Sequence, residues 1–350
     1  MIKVIYSFNK VGLEAELWER EIPRASSARV KLIPFNHHRY LDPYRYVRAQ
    51  LLDNLYFERD PDLLRMYADI KEQLHLHGAK VLLVDNCPPY HPEFLRELPV
   101  YKVLRTSDGP ISAYDRDFAY VHAYDHVLFH SPAYSRDLTM AEKLRYCGAR
   151  RFDLWPMWLF DSAFDVSRDE TNILSSPRPV DVAFVGALHV GKMEELALIK
   201  RHFRSRCAMH GLANLKRNVY FNLRYGMPGW IRPIRMDEYV SLYQRTKIGF
   251  NIHNRGKYTV GNFRMFELPA NGVMQVSDGS EYLDHFFAPD EIVGADDVGR
   301  MIERIEYFLG HEKERREMAL QGYRAALGRH RISHRIEHLA DLLDAAHVRP

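Results

Sequence analysis

Short apolar runs that alternate with helical patterns are the sequence feature that most constrains the fold of this chain. In the first half, such runs cover residues 3–8, 81–84, 101–104, 126–129 and 152–155. Segments with helical periodicity lie between them, at residues 43–57, 61–75, 114–121 and 134–146. Buried parallel strands are nearly continuous apolar runs joined by helical crossovers, so the first half is predicted to be an α/β domain with a mostly parallel sheet.

A second α/β unit is predicted from about residue 180, after a polar stretch rich in Ser, Asp and Pro. In this half we expect a strand from residue 180 to residue 186 and a crossover helix at residues 192–203. Further strands are predicted at residues 219–222, 248–252 and 273–276. The remainder, from residue 298 to about residue 347, has helical patterns with charged faces. The second half is therefore also predicted to be α/β, with C-terminal helices.

Domain boundaries follow from the chain length and from this change in composition. A chain of 350 residues is typical of two domains. We predict an N-terminal domain over residues 1–165, a linker over residues 166–179 and a C-terminal domain over residues 180–350. The pattern leaves open whether the last helix packs back on the N-terminal domain.

Charge and cysteine content exclude several classes of protein. The chain has 49 Lys and Arg against 46 Asp and Glu, so any anion site must be local and no nucleic-acid partner is expected. Its three cysteines, Cys87, Cys147 and Cys207, are far apart, which argues against a disulfide framework or a thiolate zinc site. We found neither a signal-peptide core nor a long apolar run, so a cytoplasmic protein without a transmembrane segment is expected.

The segment Phe184-Val185-Gly186, followed by a loop that ends at Gly191-Lys192, has the pattern of a strand, a short turn and a helix. Backbone N–H groups at such a helix N-terminus favour a phosphate, and a glycine allows its close approach. The spacing matches neither a complete G-x-G-x-x-G nor a P-loop. A phosphate site at Gly186 and a plain strand-to-helix turn are both consistent with it.

A richer pattern occupies residues 248–278. A buried strand ends in polar and basic residues, and a short helix then follows that ends before Gly272. Ligands of open α/β sheets bind at the carboxyl ends of strands. The candidate ligand-binding residues here are Asn251, His253, Arg255, Lys257, Asn262, Arg264 and Glu267. Cations could bind phosphate and a carboxylate could bind ribose hydroxyls, although Arg264 and Glu267 could also form a plain surface ion pair.

These motifs resemble those of the CgeB-like glycosyltransferases, over about residues 180–340. The resemblance rests on Phe-Val-Gly at 184–186, Lys-Ile-Gly-Phe-Asn-Ile-His at 247–253, Asn-Phe-Arg-Met-Phe-Glu-x-x-Ala-x-Gly at 262–272 and Val-Ser-Asp at 276–278. It implies the GT-B fold, in which two Rossmann-like domains face a cleft, and transfer of a hexose or related sugar from a nucleotide-sugar to an unknown acceptor. It also implies that Glu267 holds the donor's ribose. Retaining members often have a further glutamate where this chain has Thr259, so a retaining mechanism is not implied.

We further predict that the C-terminal domain binds the donor and the N-terminal domain binds the acceptor. Residues Gly186, His253, Arg255, Lys257 and Arg264 would surround the diphosphate and balance its charge, so neither a metal nor another cofactor is expected. Two other classes stay open. A nucleotide-sugar epimerase would need a complete glycine fingerprint with an acidic residue further on, and a catalytically silent sugar-nucleotide-binding protein would need no base.

Asp108 is the candidate catalytic base. It lies in the segment Thr106-Ser107-Asp108-Gly109-Pro110, after a predicted strand, and an acceptor hydroxyl must lose a proton as the sugar is transferred. Asp-Gly-Pro is also common in ordinary turns. The reserve candidates are His37, His38 and Asp42.

A base acts on the acceptor and not on the nucleotide, so Asp108→Asn should separate the two functions. We expect donor affinity to stay nearly unchanged while turnover falls about a hundredfold or more. Titration calorimetry with the donor and a turnover assay measure the two quantities. If turnover stays within a few-fold of the parent, the base is one of the reserve candidates; if donor binding falls, Asp108 belongs to the nucleotide site.

Overall fold

The computed structural model describes residues 1–86, 88–106, 117–165, 169–253, 258 and 260–349. The chain forms two compact units: Met1–Pro156 together with Ile332–Pro350, and Met157–Arg331. The change of unit thus lies nearer the N-terminus than the linker that the sequence predicts. Residues from Met157 to Phe164 contribute apolar side chains to the same core as Met265 and Phe266, which explains why they belong to unit 2.

Unit 1 contains a six-stranded parallel sheet in the order β2-β1-β3-β4-β5-β8, and a small antiparallel hairpin of β6 and β7. Its strands are β1 (Ile2–Phe8), β2 (Val30–Asn36), β3 (Val81–Asp85), β4 (Tyr101–Thr106), β5 (His126–Phe129), β6 (Ala133–Ser135), β7 (Leu138–Thr139) and β8 (Phe152–Leu154). Its first helices are α1 (Gly12–Arg24), α2 (Ala49–Phe57), α3 (Pro61–His77), α4 (Pro92–Glu97) and α5 (Met140–Tyr146).

Unit 1 differs from the sequence prediction at β2, before α5, and at the helix predicted over residues 114–121, whose described residues 117–121 form turns and the start of a 3-10 helix. Strand β2 was not predicted, and it contains Pro34 and an exposed Lys31, which interrupt its apolar pattern. Both are tolerated because β2 is an edge strand, where a missing N–H costs no ladder hydrogen bond. The helix predicted over residues 134–146 begins only at Met140, where Thr139 and Glu142 form a capping box; β6 and β7 precede it.

Unit 2 contains a five-stranded parallel sheet in the order β10-β9-β11-β12-β13. Its strands are β9 (Val180–Val185), β10 (Cys207–His210), β11 (Thr246–Asn251), β12 (Met274–Ser277) and β13 (Val293–Gly294). Its helices are α6 (Glu170–Ser175), α7 (Met193–Phe203), α8 (Leu215–Tyr225), α9 (Met236–Gln244), α10 (Phe263–Ala270), α11 (Val298–Gly310) and α12 (Glu312–Arg329). No helix in the described ranges is long and apolar enough to cross a membrane.

The last helix, α13 (Ile332–Ala345), belongs to unit 1. Arg29, which precedes β2, pairs with Asp341 and Asp344 of this helix at 2.7 Å each. The indole N–H of Trp155 donates to the carbonyl of Arg335 at 3.0 Å. The chain therefore returns to its N-terminal unit after completing the second one.

The strand predicted over residues 219–222 is wrong, because these residues lie within helix α8. The helix begins after Asn214, whose side chain accepts from the N–H of Arg217, and ends at Gly226 in the left-handed conformation. Apolar residues at 215, 219 and 223 repeat every fourth position, which is a helical and not a strand period.

Gly272→Ala should destabilise unit 2. Gly272 has φ +65°, and an added Cβ would overlap Cδ1 of Ile173 and lie 2.7 Å from a guanidinium nitrogen of Arg178. The buried Arg178 cannot easily move, since it donates to the carbonyls of Thr246 and Asn271 at 2.8 and 3.1 Å. We expect a loss of about 2–4 kcal/mol in the free energy of unfolding, measured by denaturant titration.

The matched control is Gly310→Ala, at the end of α11. There no described atom lies within 4 Å of the added Cβ. Alanine should leave stability unchanged or raise it by up to about 1 kcal/mol. Equal losses in the two variants would contradict the packing argument.

Candidate functional site

A pocket of about 350 Å³ lies in unit 2, at the carboxyl ends of β9 and β11. Its lining residues are Val185, Gly186, Ala187, Lys192, Tyr239, Tyr243, Asn262, Phe263, Arg264 and Glu267. The parallel order of β9, β11 and β12 places three strand ends on this side of the sheet. This is the location where open α/β sheets bind ligands.

Arg264 connects the elements around the pocket. Its guanidinium packs against the ring of Phe184 at 4.1 Å from the ring centroid. Its Nε donates to the carbonyl of Val185 at 2.6 Å, and Nη1 donates to Oδ1 of Asn251 at 2.8 Å. Arg264 therefore ties helix α10 to the ends of β9 and β11.

Gly186 is required by this arrangement. A Cβ at position 186 would overlap Nη2 of Arg264 and lie 2.8 Å from its Cζ. The sequence argument gave Gly186 the role of admitting a phosphate. In the structure, the space beside Gly186 is occupied by the Arg264 guanidinium.

His253 is buried, and both of its ring nitrogens are bonded within the protein. Nε2 accepts from the N–H of Gly261 at 3.1 Å and from the amide of Asn251 at 3.2 Å. The ring proton must therefore be on Nδ1, which donates to Asp278 at 2.6 Å. His253 does not line the pocket; it holds the end of β11 and the chain at Gly261, just before α10.

The two asparagines support the same framework. Asn251 is fully buried, and its Oδ1 accepts from both Arg264 and Asn262. Asn262 lines the pocket and caps α10, since its Oδ1 accepts from the N–H of Met265 at 3.1 Å. The N-terminus of α10 therefore lies at the pocket, where the N–H groups of a first helical turn can donate to a ligand.

Lys192 is a pocket residue that the sequence prediction missed, although it ends the segment 184–192 that was singled out. It is buried, and its Nζ lies 5.3 Å from the centroid of the Phe184 ring and 3.4 Å from the carbonyl of Ile252. Burial, and then the charge of Arg264, lower the pKa of Lys192 to about 7. Two cationic side chains thus adjoin one aromatic ring.

Glu267 is the acidic residue of the pocket lining. Burial raises the pKa of Glu267 to about 7, although the nearby charge of Arg264 and the Tyr239 hydroxyl lower it. That hydroxyl donates to Oε1 at 3.4 Å. Tyr239 and Tyr243, whose rings pack edge to face at 5.5 Å, are further pocket residues that the motif search did not select.

Several predicted residues cannot be compared with the structure. Asp108, Arg255 and Lys257 lie outside the described residues, as does Thr259. The proposed catalytic and phosphate-binding roles of the first three therefore remain sequence predictions.

The reserve candidates for the base lie near the ends of β1 and β2 in unit 1. His37 is fully buried, and its Nδ1 lies 2.8 Å from Oγ of Ser7, which is also 2.8 Å from the hydroxyl of Tyr90. Burial lowers the pKa of His37 to about 3, so this ring stays neutral near pH 7. His38 contacts Asn9 at 2.9 Å, and the exposed Asp42 accepts from the N–H of Tyr44.

Carboxylates in Asp-x-Asp spacing occur twice in the chain. Asp60 and Asp62 both pair with Arg45, and Asp60 also caps α3. Of the second triplet, residues 115–117, only the buried Asp117 is among the described residues. Within those residues no group of three or more metal-ligating side chains is found.

Glu267→Gln should make the protein more stable above neutral pH. Between its ordinary pKa and about 7, the unfolded chain is ionised at this position while the folded chain keeps the proton. Above pH 7 the folded chain must hold a partly buried charge, which costs free energy. We expect the melting temperature to rise by about 2–4 °C at pH 8 and to be unchanged near pH 5.

The matched control is Glu72→Gln, at an exposed position of α3, where we expect no change at either pH. Differential scanning calorimetry provides the measurement. This prediction would be contradicted if Glu267→Gln melted at a lower temperature than the parent at pH 8, or if the difference in melting temperature did not depend on pH. Burial would then not be what raises the pKa of this carboxyl group.

Comparisons with known proteins place this geometry in context. Residues 194–341 match a family model described as glycosyl transferase-like. No curated protein sequence matches the chain significantly. The match covers the pocket-lining residues Tyr239, Tyr243, Asn262, Phe263, Arg264 and Glu267, whereas residues 185–187 and Lys192 precede it.

Solved structures match over the full length at low identity. Sucrose-phosphate synthase from Thermosynechococcus elongatus is 13% identical, with a TM-score of 0.64 over 99% of this chain and 100% of that one. HepE from Anabaena, in complex with UDP-glucose, is 11% identical, with a TM-score of 0.61 over 99% and 100%. A putative UDP-N-acetylglucosamine 2-epimerase from Listeria monocytogenes is 12% identical, with a TM-score of 0.54 over 100% and 98%.

At these low identities, the similarity to solved structures establishes the fold alone. The family model matches only the C-terminal part of the chain. The α/β expectation, with two mostly parallel sheets and C-terminal helices, is confirmed. The chain therefore has the GT-B fold, and its residues 194–341 match a glycosyl transferase-like model.

Proposed function

We propose that this chain is a CgeB-like glycosyltransferase that moves a hexose or related sugar from a nucleotide-sugar donor to an acceptor. One observation carries the proposal: Lys192, Arg264 and Glu267 line a single pocket beside the N-terminus of α10. Two cations with a helix N-terminus suit a diphosphate, and one carboxylate suits a pair of ribose hydroxyls. The bound UDP-glucose of the similar HepE structure is a ligand of this chemistry.

The diphosphate would lie against the N-terminus of α10 and Lys192. Free N–H groups of the first helical turn donate to phosphate oxygens, and the helix dipole favours their negative charge. A bound anion would also raise the pKa of Lys192 again, so this side chain would be charged in the complex. These groups would stabilise the negative charge that develops on the leaving nucleoside diphosphate. Arg255 and Lys257, which the sequence also assigned to the diphosphate, stay part of the proposal.

The ribose would bind at Glu267, where an ionised carboxylate can accept from both hydroxyls at once. Because burial raises the pKa of Glu267 to about 7, this carboxyl group should release a proton when the nucleotide binds near neutral pH, whereas Lys192 should take one up. Affinity should therefore rise with pH up to about 7 and fall again above it. The nearby Tyr239 hydroxyl keeps this carboxylate oriented in the unliganded protein.

Metal independence is part of the proposal. Lys192 and Arg264 line the pocket, and in the complex their positive charges would balance the diphosphate, a role that a divalent cation has in other transferases. We therefore propose that activity survives an excess of chelator. A loss of activity that manganese or magnesium restores would overturn this part.

A nucleotide-sugar epimerase is the second candidate, because the Listeria monocytogenes protein described as a putative 2-epimerase shares the fold. Both functions would use the same nucleotide pocket, so binding alone does not distinguish them. They differ in what happens to the sugar. A transferase breaks the bond between the sugar and the diphosphate and releases the nucleoside diphosphate. An epimerase instead releases a nucleotide-linked sugar with altered ring stereochemistry.

The deciding experiment is to incubate the protein with UDP-glucose and, separately, with UDP-N-acetylglucosamine, without acceptor, and to follow proton and phosphorus NMR spectra. We expect slow release of free nucleoside diphosphate and free sugar, since transferases tolerate water as a poor acceptor. A new nucleotide-linked sugar would indicate the epimerase. Binding without chemistry would favour the silent nucleotide-binding protein.

Glu267→Gln serves as the site control in the same experiment. It should weaken binding of the nucleotide by about 1–3 kcal/mol at pH 8, because a charged hydrogen-bond acceptor is lost. Glu72→Gln should bind like the parent. Unchanged affinity in a folded Glu267→Gln variant would show that the ribose does not bind at this residue.

A further inference from the structure

Helix α8 buries Phe221 against the core of unit 2 but also exposes a row of apolar side chains. Its buried side includes the polar Asn218, whose amide donates to the carbonyl of Ile231 at 3.0 Å and whose Oδ1 accepts from the N–H of Ile231 at 2.8 Å. Its exposed side includes Leu215, Val219 and Leu223, of which Leu223 is 84% exposed. An amphipathic helix normally buries its leucines, so this exposed row needs an explanation.

The exposed row extends beyond the helix. Leu212, one turn before Leu215, and Trp230, after the helix, are both exposed. The loop that carries Trp230 is held against α8, because the amide of Asn222 donates to the carbonyl of Gly229 at 3.1 Å. We call Leu212, Leu215, Val219, Leu223 and Trp230 the apolar stripe.

The chain segment that carries the apolar stripe is strongly basic. Residues 196–235 contain no Asp or Glu, although the chain as a whole is nearly neutral. They contain nine basic residues: Lys200, Arg201, Arg204, Arg206, Lys216, Arg217, Arg224, Arg232 and Arg235. Lys216, Arg224 and Arg232 are exposed and have no ion-pair partner in the described part of the chain.

We propose that the apolar stripe and its basic neighbours bind an anionic membrane surface, with α8 lying in the plane of the interface. Leucine and tryptophan side chains would enter the headgroup region, and lysine and arginine side chains would contact lipid phosphates. A second copy of this chain fits less well, because a symmetric contact would bring like charges together. A nucleic-acid backbone would use the cations and leave the leucine row exposed.

The distribution of tryptophans makes the proposal measurable. Of the four in the chain, Trp18, Trp155 and Trp158 are buried, and Trp230 is 56% exposed. A change in tryptophan emission on addition of vesicles would therefore report on Trp230. Interfacial tryptophan is a common anchor of membrane-bound proteins.

The test uses the full chain and vesicles of phosphatidylcholine with or without phosphatidylglycerol. We expect flotation with the anionic vesicles and a blue shift of emission, with both reduced by high salt. Leu215→Gln with Leu223→Gln should lower partitioning about tenfold or more, and Lys216→Gln with Arg224→Gln should lower it about fivefold for each charge removed. All four side chains are exposed, so the fold should be unaffected.

The matched control is Leu13→Gln with Leu76→Gln, two exposed leucines of unit 1, which should leave partitioning unchanged. The proposal is overturned if the parent does not float with anionic vesicles, or if the α8 variants float as well as the parent. It is also overturned if sedimentation shows a dimer that Leu223→Gln converts to a monomer, since the stripe would then join two copies. None of these readouts depends on sugar transfer.

Discussion

The pocket of unit 2 is organised around one buried cation. Arg264 reaches from α10 to the last carbonyl of β9 and to Asn251 at the end of β11, while its guanidinium covers the ring of Phe184. Taking a guanidinium out of water is unfavourable, and the carbonyl, the amide oxygen and the aromatic ring offset this cost. The same charge lowers the pKa of Lys192 and opposes the rise in the pKa of Glu267. The pocket is therefore polarised before any ligand enters it.

The fold could be predicted where burial is complete. Strands β1, β3, β5, β11 and β12 are short apolar runs because both faces of their sheets are covered. Prediction failed where a strand lies at an edge or where exposure is unusual. Strand β2 was not predicted because Lys31 and Pro34 interrupt its apolar pattern. The exposed apolar side chains of α8 led to the prediction of a strand at residues 219–222. A single sequence does not reveal which side of an element faces solvent.

The location of the candidate site could also be predicted, but the structural role of each residue in it could not. Polar residues after β11 indicated a strand-end site, and Asn262, Arg264 and Glu267 do line a pocket there. The hydrogen bonds show that His253 positions the backbone, because its two ring nitrogens are both engaged. Lys192 was missed since a lysine near a helix start usually indicates an exposed residue, whereas this one is buried against Phe184.

The close approach of Gly186 and Arg264 has an evolutionary consequence. The two residues are far apart in the sequence, yet a side chain at the first would occupy the volume of the second. A larger residue at 186 is acceptable only after 264 has become shorter, and a shorter 264 removes a donor from the Val185 carbonyl and one of the two donors to Oδ1 of Asn251. A protein with only one of the two substitutions should therefore be less stable than the parent. Divergence at this pair should therefore proceed by joint replacement, and the two positions should covary among descendants of this sequence.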